Sequence, residues 1–118
     1  PVKKAVSSRA ARKEILVDGR YRPVDSSEKV RMWGRVVNIS KGGIRLDVRK
    51  MNALSHPHEV GSEFSAVIYL PNKKKIEVQI EVTNSRILED KKTLSMGLQF
   101  KRFGRGAETD LGFFLLGE

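Results

Sequence analysis

Strict alternation of apolar and polar side chains constrains this chain more than any other feature. Ile76, Val78, Ile80 and Val82 are interleaved with Glu77, Gln79, Glu81 and Thr83, and a period of two puts one class on each side of an extended backbone. A helix would scatter both classes around its surface, so the segment predicts a half-buried strand that needs an apolar layer opposite it. The pattern recurs at Phe64, Ala66, Ile68 and Leu70, where Pro71-Asn72 ends it because that pair favours a turn over a continuing strand. It recurs again at Leu94, Met96, Leu98 and Phe100, and at Ile44, Leu46 and Val48. Two less regular strands are expected over residues 15–22 and 30–39. Six short strands joined by polar turns, with no helical periodicity between them, predict an all-β antiparallel barrel or sandwich. The chain of 118 residues is long enough for one core. Near its end, Leu111, Phe114 and Leu115 have helical spacing behind Thr109 or Asp110, which predicts a short capped helix over residues 107–116. Residues 50–61 read as a loop.

Charge narrows the partners. There are 23 Lys and Arg residues against 14 Asp and Glu, a formal net charge of +9, which favours phosphates or an anionic surface. Residues 1–13 contain Lys3, Lys4, Arg9, Arg12 and Lys13 and no acid, with only Val2 and Val6 as large apolar groups. So little apolar surface cannot offset the ordering entropy, and a flexible basic arm over residues 1–13 is expected to precede a barrel over residues 14–118. With no cysteine, disulfides, thiolate nucleophiles and cysteine-ligated metals are excluded. Apolar runs are too short for a spanning helix or a signal peptide, so no membrane insertion and a cytoplasmic location are expected. His56 and His58 flank Pro57 without a third ligand at a suitable spacing; they read as solvated loop histidines, with no metal and no cofactor. Phosphate-loop, nucleophile-elbow and zinc-protease motifs are missing from the sequence, and no enzymatic activity is expected.

The informative stretch is Asn38-Ile39-Ser40-Lys41-Gly42-Gly43, between two expected strands. It has a purely structural reading as a hairpin, in which Asn and Ser bond local backbone and Gly takes positive φ. It also has a functional reading. Asn38 and Ser40 are two apart and point the same way, and glycines without a Cβ admit a ligand to the backbone. Spacing alone favours the hairpin and does not exclude the ligand.

Asn38-x-Ser40-x-x-Gly43, followed by Ile44 and Leu46, resembles the Asp/Asn-x-Ser-x-x-Gly signature of PilZ domains, bacterial receptors for the second messenger cyclic di-GMP. The likeness extends over residues 9–116, through the basic arm and through Gly97-x-x-Phe100 in an expected strand. It implies a six-stranded antiparallel barrel with a short C-terminal helix, and non-catalytic binding of cyclic di-GMP. The ligand contacts it implies are Arg9, Arg12, Lys13, Asn38, Ser40, Gly42 and Gly43, with the arm ordering over the nucleotide to present a surface to a protein partner or an adjacent domain. The family's Arg-x-x-x-Arg is met in spacing by Arg9 and Lys13, while the two arginines, Arg9 and Arg12, are three apart. Arg31-x-x-x-Arg35 and Arg45-x-x-x-Arg49 also fit the spacing, but they lie in expected strands and read as solvated charges.

Two alternatives stand beside this reading. One is a nucleotide-independent PilZ-like domain that works through protein contacts. The other is a small basic barrel for RNA or single-stranded DNA, disfavoured because Phe64, Phe100, Phe113 and Phe114 are expected in core or helix. That leaves Tyr21, Trp33, Tyr69 and Phe103 as stacking candidates with no regular spacing. Ser40→Ala and Gly43→Ala are both expected to leave the fold largely in place and to impair binding.

Overall fold

The computed structural model describes residues 12–117, and the side chains of residues 14–116. Its strands are β1 (Arg12–Pro23), β2 (Met32–Ser40), β3 (Gly43–Arg49), β4 (Glu63–Tyr69), β5 (Lys75–Ile87) and β6 (Thr93–Phe103), with helices α1 (Asn52–Ser55) and α2 (Ala107–Gly117). The strands close in the order β1-β2-β3-β6-β5-β4, and β4 pairs back onto β1. Every pairing is antiparallel. Closure removes the edge where residues 19–23 of β1 pair with β4. The expected antiparallel barrel with a C-terminal helix is present.

Alternation explains which groups enter the core. Ile76, Val78, Ile80 and Val82 of β5 are buried, and they meet Val36, Ile39, Leu46, Ile68 and Met96 from the facing strands. Each such aliphatic side chain contributes about 1.5–3 kcal/mol when fully removed from water. Helix α2 adds Ala107, Leu111 and Phe114 to the same core and thereby stoppers one end. It starts at Ala107, so Thr109 and Asp110 fall inside its first turn instead of capping it. There Glu108 and Asp110 sit well with the partial positive charge of a helix N-terminus. β1 begins at Arg12, ahead of Ile15. The register shifts between Val36 and Asn38, where β2 faces β3. One extra residue there lets Val36 and Ile39 both turn inward, and Asn38 and Ser40 are left on the outer face.

The segment expected to be a plain loop contains α1, and its histidines are not both solvated. His58 is buried at 4% exposure. Its Nε2 lies 2.8 Å from the Tyr21 hydroxyl, and its Nδ1 lies 2.8 Å from the His56 carbonyl oxygen. The carbonyl can only accept, so Nδ1 carries the proton and the tyrosine donates to Nε2. Asn52 Nδ2 completes the chain by donating to the same hydroxyl at 3.0 Å. An anchored loop therefore replaces a floating one, because the barrel end must be covered and Tyr21 must find a partner inside.

Burial, the largest cause, lowers the His58 pKa from its ordinary 6.5, and the neighbouring His56 charge works in the same direction against the hydrogen bond to the His56 carbonyl. The unfolded chain then binds more protons than the folded one as the pH falls below the usual imidazole range, so stability is expected to drop with it. Thermal melts at about pH 7.5 and about pH 5 should show the loss, and the slope should flatten in His58→Gln. Tyr21→Phe strips Nε2 of its donor and is expected to cost about 1–3 kcal/mol. A melting temperature independent of pH would refute this account.

Candidate functional site

The hairpin joining β2 to β3 turns through Lys41 and Gly42 alone. The Ser40 hydroxyl accepts from the Gly42 N–H at 3.3 Å and donates to the Gly43 carbonyl at 3.4 Å. Neither glycine has a positive φ; among the described glycines only Gly61 and Gly106 do. The conformational reason expected for this pair therefore does not apply. A Cβ on Gly42 would meet nothing within 4 Å, whereas one on Gly43 would run into the Leu98 carbonyl oxygen, with Leu98 C at 3.1 Å and Gln99 Cα at 3.2 Å. The hairpin is also tied to β6 by the Phe100 N–H, which donates to the Gly42 carbonyl at 2.9 Å. Gly43 is needed by the approach of β6, so the expectation that Gly43→Ala spares the fold is corrected.

On the outer face the register sets Glu14 against Asn38, Asn38 against Arg45, Arg45 against Gly97, and Gly97 against Asn84. Asn38 is half-buried, and its amide makes no hydrogen bond among the described residues. Arg45 is not the freely solvated charge that was expected: Nη1 donates to Ser95 Oγ at 3.0 Å and Nη2 to Asn84 Oδ1 at 2.9 Å. Ser95 Oγ donates in turn to Asp47 Oδ1 at 2.6 Å. Gly97 makes room for this network, since a Cβ there would stand 2.7 Å from Asn84 Nδ2. A guanidinium held in this way is positioned in advance, and it keeps N–H groups to spare for a ligand. Arg31, Arg35 and Arg49 are exposed as expected, and Arg35 Nε lies 3.4 Å from Asp18 Oδ1.

Arg12 and Lys13 open β1, with Arg12 opposite Ser40 and Lys13 opposite Ile39. Backbone pairing thus brings the end of the basic segment to the hairpin. Arg9, and the arm expected over residues 1–13 as far as residue 11, lie outside the described residues. Of the stacking candidates, Tyr21 is buried, and Trp33 and Tyr69 stack on each other with centroids 6.1 Å apart. Phe113 is on α2, as expected, but points outward at 70% exposure. Among the described residues no three His, Cys, Asp or Glu side chains gather as metal ligands, and no helix is long and apolar enough to cross a membrane.

Comparison with known proteins places this geometry. The family model described as the PilZ domain matches residues 7–117. The inhibitor of motility from Bacillus subtilis, MotI/DgrA, superposes with a TM-score of 0.73 at 18% identity, over 92% of this chain and 49% of that one. The complex of MrkH from K. pneumonia with c-di-GMP gives a TM-score of 0.70 at 18% identity, over 92% and 49%. The PilZ domain of YcgR from Escherichia coli with c-di-GMP gives 0.59 at 14% identity, over 92% and 88%. These likenesses show a shared fold. The chain spans about half the length of MotI/DgrA and of MrkH. No curated protein matches it.

Proposed function

The chain belongs to the PilZ domain family, and from that membership we propose that it is a non-catalytic receptor domain for cyclic di-GMP. The observation that carries the reading is the pairing of Arg12 with Ser40 and of Glu14 with Asn38, which delivers the basic segment to the hairpin bearing the signature. Arg9, three residues upstream, is then within about 10 Å of extended chain from the same point. The Asn38 amide, unengaged among the described residues, and the anchored Arg45 guanidinium extend this surface across β2 and β3. The ligand carries two phosphates and two guanines. Guanidinium groups serve both, through paired hydrogen bonds to phosphate or to guanine O6 and N7, and by stacking on the base. Binding draws the residues ahead of β1 over the nucleotide, and the altered surface is read by a partner protein or an adjoining domain.

Isothermal titration of the chain with cyclic di-GMP is expected to give saturable heat, weakened about tenfold in Ser40→Ala. No heat at roughly millimolar ligand would overturn the reading. A second reading has its own support, because the Ser40 hydroxyl is already spent inside the turn, as a purely structural serine would be. In a nucleotide-independent interaction domain, Ser40→Ala would lower stability and leave partner binding unaffected by nucleotide.

A further inference from the structure

Away from the signature hairpin, the outer faces of β1, β4, β5 and β6 and residues 24–31 enclose a cleft of about 470 Å³. Small-ligand sites occupy that size range. Arg20, Arg22, Arg31 and Arg102 line it, against Glu28 and Glu77. Arg22 is held by donating from Nη1 to the Ser26 carbonyl at 3.1 Å. The side chains of Arg20, Arg31 and Arg102 make no ion pair or hydrogen bond among the described residues, and neither glutamate pairs with any of the four. The register sets Arg22 against Ser65, Ser65 against Gln79, and Gln79 against Arg102. Two arginines therefore flank a floor of hydroxyl and amide, three strand spacings or about 14 Å apart across the sheet. Like charges gathered in a concave wall raise the local concentration of anions.

We propose that this cleft is a second ligand site, taking a phosphate-bearing metabolite of nucleotide size. Arginines grip phosphate oxygens through paired N–H groups, which suits them to this task better than lysines. Gln79, Ser65 and the two glutamates supply partners for the hydroxyl or amino groups of the rest of the molecule, and they disfavour a bare polyanion. An acidic peptide fits less well, because a protein hot spot needs an apolar anchor and the walls here are mostly polar. The site is independent of what binds at the hairpin.

Trp33, the chain's single tryptophan, stands opposite Arg20 in the register but lines a different cleft, so binding is read as heat by isothermal titration. Titrating the full chain with ADP and with inorganic pyrophosphate is expected to give a saturable change that weakens with added salt. Arg20→Gln and Arg102→Gln should each weaken ADP about tenfold, whereas Ser40→Ala should leave the ADP curve unchanged. Thermal melts of both arginine variants would establish that the barrel is intact. The proposal is overturned if neither probe gives a saturable change at about 10 mM, or if the double variant titrates like the parent. It is equally overturned if a polyglutamate peptide binds where ADP does not.

Discussion

Replacing Gly43 by alanine is expected to destabilise the barrel by about 3 kcal/mol, whereas the same change at Gly42 should stay within about 0.5 kcal/mol. Two adjacent glycines in one turn make an unusually clean comparison. Open space surrounds the site of a Gly42 Cβ, and the Gly43 position is pressed against the Leu98 carbonyl. A side-chain tip can swing aside, but that carbonyl belongs to the backbone of β6. Ile44 pairs with Leu98 and Gly43 with Gln99, so pushing β6 away opens the β3–β6 seam on which closure depends. The neighbouring bond from Phe100 N–H to the Gly42 carbonyl would be strained as well. Urea unfolding of both variants tests this, and the Gly43→Ala melting temperature should fall by roughly 10–15 °C. A Gly43→Ala protein that melts like the parent yet no longer binds cyclic di-GMP would show that the glycine is kept for the ligand and not for the strand.

The hairpin shows how far reading alone could go. Once Lys41-Gly42 is taken as a two-residue loop, antiparallel counting sets Ile39 against Ile44 and Asn38 against Arg45, and the structure has both pairs. Arg45 could thus have been placed beside the signature from sequence. Its classification as a solvated charge failed on something that counting does not reach: Ser95 and Asn84 are 50 and 39 residues away in sequence, and only barrel closure brings them to it. Gly43 failed in the same way, since its constraint comes from Leu98 across the β3–β6 seam and not from its own φ. The strand cores were legible because alternation is a local property. The bulge near Val37 was not, because an extra residue inside a run of Val-Val-Asn-Ile looks like noise until two neighbouring strands fix the register on either side. His58 read as a solvated loop histidine, and its role depends on Tyr21, 37 residues earlier. Short-range periodicity therefore gave the barrel, while the partners of single polar side chains waited for the closed sheet.

Removing both arm arginines, in Arg9→Ala/Arg12→Ala, is expected to weaken cyclic di-GMP by about two to four decades, since hydrogen bonds to charged groups are worth about 1.5–3 kcal/mol each. Lys13→Ala should cost only about one decade, because an ammonium can neutralise phosphate but cannot reproduce the planar fork that meets a guanine edge. The comparison matters because this chain meets the family's four-residue spacing with a lysine and keeps its arginines three apart. If the arm were a strand throughout, that difference would put the second guanidinium on the opposite face, whereas in a helix positions three and four apart share one face. β1 is already extended at Arg12, and Arg12 stands opposite Ser40; adjacent positions of a strand serve opposite faces of a sheet. A ligand lying on one face draws on one of two adjacent strand positions. A larger loss in Arg12→Ala than in Lys13→Ala would assign the outer position to Arg12, and the reverse order would assign it to Lys13. The fold should survive in either case, because the pairing of β1 with β4 begins only at Gly19. A double variant that binds within about threefold of the parent would remove the arm from the site altogether. A parent that does not bind would instead remove the nucleotide and leave the barrel as a scaffold for protein contacts.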